Sequence, residues 1–331
     1  MSSKGDRSSA LKKLKNLIFT PKMEVKAFRA KMDSTFSDVF LPNKVDCVER
    51  ECGGVLCDVL SPEIYNSHKL IIYIHGGAFV GGSRTAYRNF AASLANATSC
   101  RTVVPEFRLA PTHPYPASLD DVQAVFRTLY TEELVARSLD EGGNIEKAKP
   151  EIIIMADGSG ASIAMALVLS LRDRFRSAIK NVILFSPWLD LSTDSKILLT
   201  KKMPDGLLSG EYIRRAAELY TYQDNRNIAL VSPLKATKEQ LEDFPPVYIQ
   251  LGEKEIVLSD AKLMKQKLEE AGTECVLDIQ KDMMTMFQLA DEYLEESHLA
   301  VERVGKYLTL RKLTAEDSQF DIQLELEKKE L

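Results

Sequence analysis

The sequence predicts an α/β protein built on a mostly parallel central sheet with helices on both faces. Two observations carry this expectation. Short runs rich in Val and Ile recur along the chain, of a length suited to buried strands, and they alternate with helical patterns over most of its length. With 331 residues, the chain has enough material for one large α/β domain with a lid. Its 43 basic and 48 acidic residues give a formal net charge of −5, a balance that suggests no nucleic-acid partner.

Taken in order, Met1 to Pro21 is basic and serine-containing, and only Asn16-Leu17-Ile18-Phe19 approaches an apolar patch. That patch is too short for a signal-peptide core. The expected form is a solvated leader, with a basic amphipathic surface helix around Leu11 to Phe19 as the alternative. Candidate strands are Val45 to Glu49, Val55 to Leu60, Leu70 to Ile74, Thr102 to Phe107, Glu151 to Met155, Val182 to Phe185, Val247 to Leu251 and Cys275 to Ile279. The one long apolar window, Ile152 to Leu171, contains Asp157 and a run of Gly and Ser, so it reads as strand, turn and helix and not as a membrane span. The tail, Thr314 to Leu331, spaces Phe320, Ile322, Leu324 and Leu326 two apart, which fits a strand or a flexible appendage. Five cysteines, Cys47, Cys52, Cys57, Cys100 and Cys275, are odd in number and lack a paired CxxC signature. Reduced thiols in a cytoplasmic protein, packed and not metal-binding, are the expectation. No cofactor and no metal are expected.

Two turns carry the chemistry. After the run Lys69 to Ile74 comes His75-Gly76-Gly77-Ala78-Phe79, where paired glycines let backbone N–H groups face a ligand without a side chain in the way. Further on, Glu151 to Met155 leads through Ala156-Asp157-Gly158-Ser159-Gly160 into the helix formers Ala161 to Arg172. A strand meeting a helix through such a tight turn is the nucleophile-elbow setting, with oxyanion donors from the glycine turn and from the residue after the nucleophile. Those donors would be Gly76, Gly77 and Ser159. Centring the elbow on position 158 puts glycine where the nucleophile belongs; centring it on Ser159 puts a carboxylate, Asp157, at a position that calls for a small residue. The first register fits better and has no nucleophile. Ser162 satisfies a GxSxA pattern but falls in the first helical turn, where packing or capping is its expected role.

Further segments fill the order: Glu106-Phe107-Arg108-Leu109-Ala110-Pro111, His113-Pro114-Tyr115-Pro116-Ala117, Asp120-Asp121 and Ser186-Pro187-Trp188-Leu189-Asp190. With HGGAF, RLAPxHPYPA and SPWLD together, the chain resembles the hormone-sensitive-lipase branch of the α/β-hydrolases, which includes arylacetamide deacetylase-like esterases and the plant gibberellin receptors. The likeness runs from about Val45 to Leu308. It implies an α/β-hydrolase fold with a helical cap and places the oxyanion motif on His75, Gly76 and Gly77. It also puts the nucleophile position on Gly158, the acid on Glu255 with Asp260 at a further acidic position, and the histidine slot on Thr285. The stretch Trp188 to Pro246, where the strand rhythm stops, would resemble the cap together with the first 40 or so residues. The implied organisation is a leader and cap segment over 1–44, the hydrolase domain over 45–310 with a cap insertion at about 189–245, and an appendage over 311–331.

A serine hydrolase needs a hydroxyl, a base and an orienting carboxylate. Gly158 offers no side chain, Thr285 cannot act as a base near neutral pH, and Glu255 without partners could be an ordinary solvated loop carboxylate. Of the four histidines, His68 precedes the central strand, His75 and His113 sit in the turns named above, and His298 falls within the last helical pattern. None replaces the missing base. The first expectation is therefore a non-hydrolytic small-molecule-binding or regulatory protein with a degenerate site. Its ligand would be a small hydrophobic ester, carboxylate or carbonyl compound. The alternatives are a carboxylesterase with a displaced nucleophile at Ser159 and a partner-binding scaffold; oligomeric state is left open.

Overall fold

The computed structural model describes residues 3–36, 41, 44–65 and 69–310. Eight strands form one sheet: β1 (Val45–Cys52), β2 (Val55–Pro62), β3 (Leu70–Ile74), β4 (Arg101–Pro105), β5 (Ile152–Asp157), β6 (Ile179–Phe185), β7 (Val247–Gly252) and β8 (Cys275–Gln280). Their spatial order is β1-β2-β4-β3-β5-β6-β7-β8. The pairs β1–β2 and β2–β4 are antiparallel and the remaining neighbours run parallel. Every strand expected from the apolar runs is present, with ends shifted by a few residues.

Local chemistry explains the sheet. At its edge, β1 and β2 are joined through Gly53 and Gly54, both with positive φ (61° and 83°), as a two-residue turn between twisted strands requires. The central strands β3 and β5 are apolar almost throughout and buried at every position, the pattern of strands covered on both faces. The α-helices among the described residues are α1 (Lys4–Leu14), α2 (Val25–Phe36), α3 (Arg84–Thr98), α4 (Ala117–Asp140), α5 (Gly158–Ser170), α6 (Asp173–Arg176), α7 (Gly210–Tyr220), α8 (Lys238–Leu241), α9 (Leu258–Glu270) and α10 (295–310), and α5 packs directly on β3 and β5. Residues Gly158 to Val168 of α5 are all buried, which accounts for a helix that is apolar all round. Among the described residues no helix is long and apolar enough to cross a membrane.

The expected solvated leader is corrected. Ser3 caps α1, whose Ala10 and Leu14 are buried, and the chain continues into buried Leu17, Ile18 and Phe19. Phe19 meets Phe28 of α2 at 5.3 Å between ring centroids. From the same helix Arg29 donates to the carbonyls of Val80 (2.7 Å) and Ala110 (3.0 Å), so the N-terminal segment grips the loop after β3. A reading based on charge undervalued five apolar residues, Ala10, Leu14, Leu17, Ile18 and Phe19, that are buried in the core. His68 and the tail Thr314 to Leu331 lie outside the described residues.

Candidate active site

The loops after β3, β5, β6 and β7, together with the stretch following β8, meet at the carboxyl ends of the parallel strands, where open α/β sheets place their ligands. Backbone at the elbow is set by Gly158, whose φ is +46°. A Cβ built there would meet nothing within 4 Å, whereas one on Gly160 would approach the carbonyl oxygen of Ile74 to 2.2 Å. Close strand-helix packing therefore demands glycine at 160. At 158 it is only the dihedral that favours glycine, because a side chain there would project into open space.

Asp157 organises the turn, and sequence reasoning missed it. This carboxylate, the last residue of β5, accepts from the Tyr73 hydroxyl (2.7 Å), the Tyr87 hydroxyl (3.0 Å) and the Gly76 N–H (2.8 Å). Burial nevertheless outweighs those three donors and raises its pKa to about 6. The signal was available: an acid at the end of an apolar strand is buried and must find partners. One consequence corrects the oxyanion assignment. The Gly76 N–H is engaged by Asp157, leaving Gly77 and Ser159 as the expected donors without an acceptor among the described hydrogen bonds.

Ser159 is 2 % exposed, and its Oγ accepts from the Phe79 N–H at 3.0 Å, tying the elbow to the glycine turn. Ser162 donates to the Trp188 carbonyl at 2.5 Å, the packing role expected of it. His75 stacks between Phe107 (4.3 Å) and Tyr87 (5.3 Å). Its Nδ1 lies 2.8 Å from the Gly76 carbonyl, which can only accept, so Nδ1 carries the proton. Burial lowers its pKa to about 4, and the ring stays neutral near pH 7. Both remaining described histidines, His113 and His298, are exposed.

Glu255 is buried, which corrects the picture of a solvated loop carboxylate. Its Oε1 accepts from the Gly252 N–H (2.6 Å) and the Ser186 hydroxyl (2.8 Å), while Oε2 has no hydrogen-bond partner among the described residues. Burial drives its pKa up to about 8 against those donors, helped by the nearby charge of Asp205. Ser186 in turn accepts from the Met286 N–H (3.0 Å), linking the ends of β6 and β7 to the loop that carries Thr285. Thr285 does not stand free: its N–H (2.9 Å) and hydroxyl (2.6 Å) both donate to Oδ2 of Asp205, whose Oδ1 accepts from Leu207 and Leu208 N–H groups. Nothing in the sequence around Asp205 signals this role, because it depends on a contact 80 residues away. Asp260 sits in the first turn of α9, apart from this hydrogen-bonded group, with its pKa raised to about 7 by burial and the Asp190 charge.

Comparison with known proteins places this geometry. Residues 71–289 match the model of a family described as having the α/β-hydrolase fold. The chain belongs to that family. An esterase from Acinetobacter venetianus is 31% identical over 73% of this chain and 75% of its own length. An acetyl-hydrolase from Streptomyces hygroscopicus is 27% identical over 72% and 75%. Among solved structures, an esterase of the bacterial hormone-sensitive lipase family superposes with a TM-score of 0.79 at 24% identity, covering 93% of this chain and 98% of that one. These relatives overturn the first functional expectation. A non-hydrolytic binding protein rested on positions 158 and 285 and on the lack of a replacement histidine; the relatives just named are an esterase and an acetyl-hydrolase, and the carboxylesterase alternative is the reading that agrees with them.

Proposed function

We propose that the chain is a carboxylic-ester hydrolase of the hormone-sensitive-lipase branch, acting on small acyl esters, with its nucleophile displaced from position 158. The observation that carries the reading is the tie between Ser159 and the glycine turn, in which Phe79 N–H donates to Ser159 Oγ at 3.0 Å. An N–H directed at a hydroxyl oxygen favours the alkoxide over the neutral form. Open space beside Gly158 gives an ester carbonyl room to approach, and the Gly77 and Ser159 N–H groups are the donors for the oxyanion. In this mechanism Ser159 Oγ attacks the carbonyl carbon, its proton passes to water, and the alcohol leaves with a proton from water. A second water then releases the acid and restores the hydroxyl.

Such a site lacks a histidine base, so turnover should be slow compared with a complete triad; general-base assistance supplies about 10² to 10⁴-fold. The test is hydrolysis of p-nitrophenyl acetate by the wild type and by Ser159→Ala. Expected is measurable turnover that falls about 10²-fold or more in the variant. Absence of turnover would overturn ester hydrolysis, and turnover unchanged in Ser159→Ala would overturn the choice of nucleophile.

A further inference from the structure

The glycine turn after β3 keeps a conformation that its residues resist. Ala78 (φ 58°) and Phe79 (φ 62°) both lie in the left-handed region, and neither is glycine. Side chains are disfavoured there, and a bulky one persists only where its surroundings fix it. Hydrogen bonds fix part of the backbone: Ala110 N–H donates to the Phe79 carbonyl (3.0 Å), and Phe79 N–H donates to Ser159 Oγ (3.0 Å). Stacking fixes the ring. Phe79 lies face to face with Tyr220 at 3.9 Å between centroids and 12° between planes, and Trp188 meets it in a T-shaped contact at 6.1 Å.

Tyr220 comes from far along the chain, as the last residue of α7 in the stretch between β6 and β7. It is itself anchored. Its carbonyl accepts from Tyr115 N–H (2.8 Å), its hydroxyl lies 3.4 Å from Ser118 Oγ, and the Tyr115 ring meets it at 6.0 Å and 73°. The buried Tyr220 ring therefore offers Phe79 a fixed flat surface. Because φ is the rotation about the N–Cα bond, clamping the Phe79 side chain at this φ also sets where its N–H points. We propose that Tyr220 is a positioning residue for the glycine turn: by clamping the Phe79 ring it keeps residues 78 and 79 left-handed and the Phe79 N–H on Ser159 Oγ. Its effect on turnover rests on the ester hydrolysis proposed for Ser159; its effect on the turn does not.

Amide hydrogen exchange, read residue by residue by NMR on the full chain, tests the turn without any substrate. In Tyr220→Leu, which keeps an apolar side chain but no flat face, the Phe79 N–H should lose about tenfold or more of its protection, while Ile154 N–H in the central strand β5 keeps its own. Tyr220→Phe retains the ring and should restore the protection at Phe79. Phe79→Leu removes the other half of the stack and should show the same selective loss at residue 79, which keeps the test open if Tyr220→Leu does not fold. On p-nitrophenyl acetate, Tyr220→Leu should lower kcat about tenfold with KM changed less than about threefold, and Tyr220→Phe should stay within about twofold of the wild type. Unchanged protection at residue 79 in the leucine variants, or an equal loss at residue 79 and Ile154, makes the stack plain core packing and overturns the proposal. An unchanged kcat in Tyr220→Leu, with the wild type active, overturns the link to turnover. A wild type that does not hydrolyse the ester refutes the hydrolase reading alone, and the exchange data still decide the role of Tyr220.

Discussion

Replacing Glu255 by Gln should convert a pH-sensitive fold into one less sensitive to alkali. The carboxyl group has a pKa of about 8 when folded, against 4.5 for an ordinary Glu, because burial penalises the charge more than two donors stabilise it. The sign is opposite to that of a salt-bridged acid. Between the two values the folded state keeps a proton that the unfolded chain releases, so stability falls as pH rises through this interval. At about 1.4 kcal/mol per pH unit the whole interval amounts to about 5 kcal/mol, a large share of the total stability of a domain. Glutamine retains an oxygen for Gly252 N–H and Ser186 Oγ–H but brings an amide whose donors have no evident acceptor, which costs about 1 to 3 kcal/mol at every pH. Urea denaturation from pH 5 to 9 should therefore find the variant slightly less stable at the acid end and more stable at the alkaline end. His75, Asp157 and Asp260 titrate in both proteins, so the difference between the curves isolates Glu255. A difference that stays flat to within about 1 kcal/mol would refute the assignment of a buried, neutral carboxyl group.

Three further outcomes are expected. Gly158→Ser combined with Thr285→His should raise p-nitrophenyl acetate turnover by about 10²-fold or more, while serine in the positive-φ turn costs about 1 to 3 kcal/mol of stability, read by thermal denaturation. Asp157→Ala strands the hydroxyls of Tyr73 and Tyr87 and the Gly76 N–H, and should destabilise the fold by about 3 to 5 kcal/mol in urea unfolding, partly by freeing the glycine turn. His75 is held neutral with a pKa of about 4 against 6.5 when exposed, so the unfolded chain takes up the proton first as pH falls. About 3 kcal/mol should be lost between those values, and the loss should be absent from His75→Asn in urea denaturation extended down to pH 4.

The strands were legible because each is a short apolar run, and burial on both faces leaves β3 and β5 almost no freedom of composition. The glycine turn and the elbow were legible for a related reason: a backbone approach as close as Gly160 to the Ile74 carbonyl admits only one residue type. What stayed hidden depends on distance along the chain. Asp205 and Thr285 are 80 residues apart, Tyr87 and Asp157 are 70 apart, and no local pattern announces either pair. The leader was misjudged because it is basic and serine-containing, whereas buried Ala10 and Leu14, with the Arg7–Glu296 and Lys13–Glu292 ion pairs, hold α1 in place. Function was misjudged for a different reason. Two positions were given the weight of the whole site, although residues 71–289 as a whole match a family with the α/β-hydrolase fold and the chain is 31% identical to an esterase.

The arrangement separates holding the turn from doing the chemistry. Asp157 draws Gly76 against the end of β5, Phe79 N–H reaches Ser159 Oγ, and Arg29 fixes the loop through Val80, so three interactions position the turn without any atom of residue 158. Glu255 and Ser186 likewise fix the loop at Met286 without a histidine. A hydroxyl at 158 would therefore enter a site already organised to receive it, and its strain would be carried by contacts that exist now. This explains why the space at Gly158 is open and the surroundings are closely packed. It also makes the double variant informative: if adding the two side chains fails to raise turnover while the fold is retained, the backbone donors are not where the oxyanion forms, and the displaced nucleophile must be sought with a different set of N–H groups.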